Sequence, residues 1–148
     1  MSETQSEVLG QEFVALIHAF GVLRTDATPC GQPMSVSTAH AICELAAHGP
    51  VSQTELADRL GLESSSSISR LVDQLNRKGW AQRAPDADHN DKRIRLVHLT
   101  ELGRQAASQV SAARAERFGQ LLDAIEESKR PHVLEALHLL KDAANAIH

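Results

Sequence analysis

Residues 51–79, VSQTELADRLGLESSSSISRLVDQLNRKG, decide the fold. Ser52 is followed three residues later by Glu55, the spacing of a capping box, and Val51 and Leu56 stand where a hydrophobic staple closes a helix start. Leu56, Ala57 and Leu60 mark one apolar face, and Gly61 supplies a stop. A three-residue turn leads into a second pattern, with Ile68, Leu71, Val72 and Leu75 at i, i+3, i+4 and i+7 and Gly79 at its end. Two short helices joined by a tight, glycine-containing turn make a helix-turn-helix.

On its C-terminal side, residues 80–83 (WAQR) suit a strand, 85–92 (PDADHNDK) a turn-rich loop and 93–99 (RIRLVHL) a second strand. Val97 and Leu99 fall on one face of that strand, and Ile94, Leu96 and His98 on the other. Thr100 can cap a long helix from residue 101 to about residue 127, with Ala106, Val110, Ala113, Phe118, Leu121, Leu122 and Ile125 on one side. Pro131 suits the first turn of a final helix with an apolar stripe through Leu134, Leu137 and Leu140. On the N-terminal side, residues 37–48 (STAHAICELAAH) read as a helix stopped by Gly49-Pro50. Residues 6–23 carry an earlier helical stripe through Leu9, Phe13, Phe20 and Leu23. The expected fold is mainly α with a small β-hairpin wing, a single domain over residues 1–148. Its winged helix-turn-helix lobe spans 37–100, with terminal helices over 5–24 and 101–148. Their stripes are longer than one small lobe can cover, so they are expected to serve dimerisation.

Composition agrees with this architecture. Apolar residues at 42% support a real core, and aromatics at 3% with no Tyr build it from Leu, Ile, Val and Ala, which favours helices over a sandwich. No apolar run reaches the length of a membrane span, and the start MSETQSEVLG is polar and acidic, so neither an anchor nor a leader is expected and the cytoplasm is the expected compartment. Cys30 and Cys43 are too few for a disulfide scaffold. The net charge is −4, but residues 70–95 hold seven Lys or Arg against four acids, a local +3 that leaves about −7 elsewhere. A basic patch on an acidic body suggests local engagement of a polyanion.

Away from the apolar face, the second helix of the motif presents Ser65, Ser66, Ser69, Arg70, Asp73 and Arg77. Short polar side chains near a helix start let the backbone approach base edges in a major groove, and longer cations beyond them reach bases or phosphates. The run Ser64, Ser65, Ser66, Ser67 also offers hydroxyl and N–H groups to phosphate. The blander reading makes Ser64 an N-cap and the rest exposed filler. Lys92, Arg93 and Arg95 crowd the outgoing wing strand, and Arg93 is placed to enter the minor groove, where negative potential is strongest. Asp91 would support that guanidinium by a charge-assisted bond; the competing reading is a surface ion pair worth little.

These residues resemble the MarR family of bacterial transcriptional regulators. The resemblance rests on TELADRLGL, on ISRLVDQLNRKGW followed by Arg83, and on a wing signature. That signature is Asp91-Lys92-Arg93, then IRLVH, then Leu99-Thr100, with Gly103 beyond. STAHAICELAAHGP, with His40, is similar to the family's second helix. The resemblance implies an obligate homodimer whose first and last helices intertwine, with two recognition helices on a pseudo-palindromic operator in double-stranded DNA. One DNA turn of ~34–36 Å separates such half-sites. The chain departs from the pattern twice: the loop from Arg83 to Asp91 is about two residues longer, with His89-Asn90 as the extra pair, and the turn into the recognition helix is one serine longer.

The resemblance further implies a small, often aromatic or anionic effector held between the DNA-binding lobe and the dimer helices. His18 and His40 are the candidates to line that pocket; the competing reading makes both buried, hydrogen-bonded histidines. His40, Cys43 and Glu44 share a helix face at i, i+3 and i+4, a spacing that permits metal ligation. The long fifth helix carries no His or Cys cluster to complete it, so no metal is expected. Cys30 lies in the loop after the first helix, where oxidant-sensing relatives carry a thiol, yet no cation adjoins it to lower its pKa. No nucleophile–base pair or phosphate-cradling loop is present, so no enzymatic activity and no cofactor are expected. The reading is a sequence-specific DNA-binding regulator, a dimeric repressor released by a small molecule. The alternatives are a winged-helix module whose motif binds a protein partner and a regulator switched by oxidation of Cys30.

Overall fold

A computed structural model of the chain describes residues 2–24, 26–62, 64–86 and 95–148. In chain order the elements are α1 (Gln5–Phe20), α2 (Val36–His48), β1 (Val51–Ser52), α3 (Gln53–Leu60) and α4 (Ser65–Arg77). Then follow β2 (Ala81–Pro85), β3 (Arg95–Leu99), α5 (Glu101–Asp123), a 3-10 turn (Glu127–Lys129) and α6 (Arg130–Ala146). The chain divides into two compact units, residues 1–113 and 114–148. No helix among the described residues is long and apolar enough to cross a membrane.

In the first unit, α2, α3, α4 and the sheet enclose the core. Ile42, Leu56, Val72, Leu75 and Val97 are its largest fully buried side chains. Each such burial contributes about 1.5–3 kcal/mol, so the lobe is held chiefly by its apolar seam. The helix-turn-helix shows the Ser52 half of the expected capping box and the expected Gly61 stop. Ser52 Oγ accepts from the Glu55 N–H at 3.2 Å, and Gly61 ends α3 at φ +69°, a left-handed cap that a side chain disfavours. β3 is central in a three-stranded antiparallel sheet of order β1-β3-β2. Val97 faces both Val51 on β1 and Arg83 on β2. Strand β1 is an addition to the expected hairpin. Two residues are too few to show alternation, and only pairing with β3 reveals them. Pro85 ends β2 on the sheet edge, where a missing N–H costs no ladder bond.

α1 begins with a capping box: Thr4 Oγ1 accepts from the Glu7 N–H at 3.2 Å, and the Thr4 N–H donates to Glu7 Oε2 at 2.7 Å. It stops at Phe20, short of the expected residue 23, because Gly21 turns left-handed at φ +68° and its N–H closes on the Ile17 and His18 carbonyls. α5 likewise ends at Asp123 rather than near residue 127. Within the first unit α5 buries Gly103, Ala106, Ala107 and Val110, whereas Phe118 and Leu122 beyond it are exposed. In the second unit, Pro131 sits in the first turn of α6, which buries no residue.

Candidate nucleic-acid interface

α4 is two-sided. Ile68, Leu71, Val72 and Leu75 are buried, while Ser65, Ser66, Arg70, Asp73 and Arg77 are exposed and Ser67 and Ser69 are half-buried. Ser64 is the N-cap: its Oγ accepts from the Ser67 N–H at 3.4 Å and lies 2.7 Å from Ser66 Oγ. The cap reading therefore holds for Ser64, and the serines that follow form the outward face of the first turn. Arg70 Nε donates to the Ser66 carbonyl at 3.4 Å, which lays its guanidinium back along that face. The helix thus carries hydroxyls at its start and cations at Arg70 and Arg77, with the free N–H groups and positive dipole of its first turn beneath the serines.

A contact the sequence does not announce crosses from the sheet. Arg83, on β2, spreads its guanidinium over three acceptors: Nη1 on Asp73 Oδ1 at 2.9 Å, Nε on Gln53 Oε1 at 3.1 Å and Nη2 on the Ser69 carbonyl at 3.5 Å. Its own carbonyl accepts from Arg95 Nη2 at 3.3 Å. Arg95, expected to face DNA, is exposed and so tied to the neighbouring strand. Asp91, Lys92 and Arg93 lie outside the described residues, as do His89 and Asn90.

Behind the interface, the end of α4 is keyed to the start of α5. The Thr100 hydroxyl donates to the Gly79 carbonyl and accepts from the Gly103 N–H at 3.0 Å, so Thr100 caps α5 as its position suggests. The Thr100 N–H donates to the Trp80 carbonyl at 2.9 Å. A Cβ on Gly103 would fall on that same carbonyl. Lys78 Nζ stands 4.7 Å from the centre of the Trp80 ring, a cation–π contact that steadies the turn. Gln74, Arg77 and Lys78 also border a hollow of about 470 Å³ with Ser35 and Thr38 of α2.

The two histidines are not the buried, hydrogen-bonded groups of the competing reading: His18 and His40 are both exposed. Each stands on the outer side of its helix, where no core packing surrounds the imidazole. His18 shares an open face of α1 with Gly10, Gln11, Val14 and Ala15, and His40 is not on it. Among the described residues, no three His, Cys, Asp or Glu side chains come together as a metal site; Glu44 instead stands 3.6 Å from His48. Cys30 and Cys43 are both half-buried.

Comparison with known proteins supports what this geometry suggests. Residues 33–93, which include α2, α3, α4 and β2, match the model of the MarR family. No curated protein sequence matches the chain. Among solved structures, FabT of Streptococcus pneumoniae, determined in complex with DNA, superposes with a TM-score of 0.72 at 18% identity over 97% of this chain and 96% of its own. PcaV of Streptomyces coelicolor, a transcriptional regulator, gives 0.71 at 19% identity over 97% and 99%. MarR of E. coli gives 0.67 at 21% identity over 97% and 98%. The matched segment holds the helix-turn-helix, so residues 33–93 are similar to the MarR family, and the whole chain shares the fold of these solved transcriptional regulators.

Proposed function

We propose that the chain acts as a homodimeric, sequence-specific repressor on a pseudo-palindromic operator and that a small molecule releases it. The observation that carries the DNA-reading half of this proposal is the outward face of α4: Ser65, Ser66 and Arg70 exposed over a wholly buried apolar seam. Ser64, Ser67, Ser69 and Arg77 complete the major-groove surface, and Lys92, Arg93 and Arg95 bring the wing to the flanking minor groove, with Asp91 orienting Arg93. The homodimer half is supported by α1 and α6. Leu9, Phe13, Val14, Leu134, Leu137 and Leu139 are each at least half exposed, more apolar surface than a lone chain keeps in water. A two-fold axis through such faces would also supply the second recognition helix that a palindrome requires. The effector need only bind the DNA-free state more tightly than the bound one. His18 and His40 are the candidate effector contacts.

The test is enrichment of sheared genomic DNA on the purified protein beside an Arg93→Ala variant, with the retained fragments sequenced. One shared pseudo-palindrome is expected, bound about 1–3 kcal/mol more weakly by the variant, and retained less as salt rises. Retention of no fragment by either protein, together with salt-resistant capture of a protein partner, would replace DNA with a protein ligand on the same face.

A further inference from the structure

Arg83 lies in the middle of β2: it is 27% exposed, and all three of its guanidinium nitrogens are engaged within the lobe. We propose that Arg83 is a positioning residue for sequence discrimination, fixing the pose of α4 and sequestering Asp73 without itself touching DNA; this rests on the DNA-reading proposal above.

Two observations carry it. The first is what the fork joins. Gln53 is the first residue of α3, Ser69 and Asp73 are one turn apart on α4, and Arg83 starts from a strand whose partner, Val97, is 1% exposed. One rigid planar group thereby ties both helices of the motif to the wing sheet. A lysine has one ammonium on a flexible stem and cannot bridge the same three acceptors in fixed geometry. A small slide of α4 would move Ser65, Ser66 and Arg70 together relative to base edges. Discrimination between bases depends on that register far more than attraction to phosphate does.

The second observation concerns charge. Asp73 stands three residues after Arg70 and four before Arg77, the two spacings at which helix side chains meet. A free carboxylate there would pair with either cation and hold it away from DNA. Arg83 takes that carboxylate at 2.9 Å, and among the described residues neither Arg70 nor Arg77 forms a salt bridge. The acid on α4 is thus neutralised by the sheet, and the two cations stay exposed.

The experiment is equilibrium binding, by fluorescence anisotropy over a range of salt, of the wild type, Arg83→Lys, Asp73→Asn and the double variant. The probes are the duplex that the wild type enriches from genomic fragments and a scrambled duplex of equal composition. Each single variant is expected to lose about tenfold of the preference for the enriched duplex, the worth of one charged hydrogen bond. The double variant should lose no more than either single one, because both remove the same contact. Arg83→Lys keeps a positive charge beside Asp73 while losing the fixed three-acceptor geometry, so it should keep the wild-type dependence of log K on log salt and its affinity for the scrambled duplex. Asp73 is half exposed, so Asp73→Asn keeps the fold and serves if Arg83→Lys melts early. A salt slope lowered by about one, with both duplexes weakened alike, would make Arg83 a phosphate contact and overturn the inference. So would an undiminished preference in all three variants. A wild type that shows no preference for any duplex would overturn the DNA-reading proposal itself, and the role of Arg83 with it.

Discussion

Gly103 shows how much can rest on a missing methyl group. It is the third residue of α5, and a Cβ there would meet the Trp80 carbonyl and approach Leu99 Cδ2 to 2.9 Å. The obstacle is backbone, which cannot rotate aside as a side chain would, and that backbone is itself held by the Thr100 N–H at 2.9 Å. Gly103→Ala is therefore expected to destabilise the lobe by about 3 kcal/mol, the upper range for overpacking. Urea unfolding followed by helical circular dichroism measures this directly. An unchanged midpoint would mean that the start of α5 can back away from Trp80 at no cost. At this scale the sequence is least informative. A glycine in a helix advertises freedom or closeness, and only the fold says which.

At the scale of elements, the local signals were legible and the non-local ones were not. Ser52, Gly61 and the period of Ile68, Leu71, Val72 and Leu75 place α3 and α4, because caps and helical stripes are written in neighbouring residues. Strand β1, the early stop of α1 at Gly21 and the Arg83 fork were not read: the first and last need partners about 45 and 10 to 30 residues away, and the second turns on one backbone angle. The candidate DNA face of α4 was legible because its outward residues are simply those its apolar period leaves over. The exposure of His18 and His40 was not, since a lone histidine on a helix has no such pattern. α1 also yields a prediction. The Thr4 N–H and then its hydroxyl hold the Glu7 carboxyl below its ordinary range, so its charged form favours the folded cap. That contribution is complete above the usual carboxylate value and is lost as pH falls through the lowered one. Protection of the Thr4 amide, its slowing relative to intrinsic exchange, should therefore be present at neutral pH and fall away in acid in wild type but not in Glu7→Gln. Identical profiles would remove the carboxylate from the cap.

For the whole molecule, the issue is how much apolar surface one chain leaves open. α6 buries no residue, and Leu134, Leu137 and Leu139 are 54%, 50% and 64% exposed. α1 buries none either. If a second copy covers them, folding and association are one equilibrium, and the melting temperature must rise with protein concentration. Sedimentation is expected to give a dimer for the wild type and a monomer for Leu137→Glu, because a carboxylate on such a face must be desolvated without a partner. The variant should also lose palindrome binding while keeping weak, salt-sensitive attachment to any duplex. A monomeric wild type that still selects a palindrome would sink this arrangement.

The chain has one tryptophan and no tyrosine. Trp80 is half-buried in the turn between α4 and β2, beneath the Lys78 ammonium and bonded through its carbonyl to Thr100. Near-ultraviolet emission from the unlabelled protein therefore comes from a single indole, at the joint that couples the end of α4 to the start of α5. Quenching by an ammonium depends steeply on its distance from the ring, so a small change in how that turn sits alters intensity as well as wavelength. The protein carries its own optical gauge, and titrating in duplex DNA or small molecules while watching its emission reports on that one junction without any attached dye.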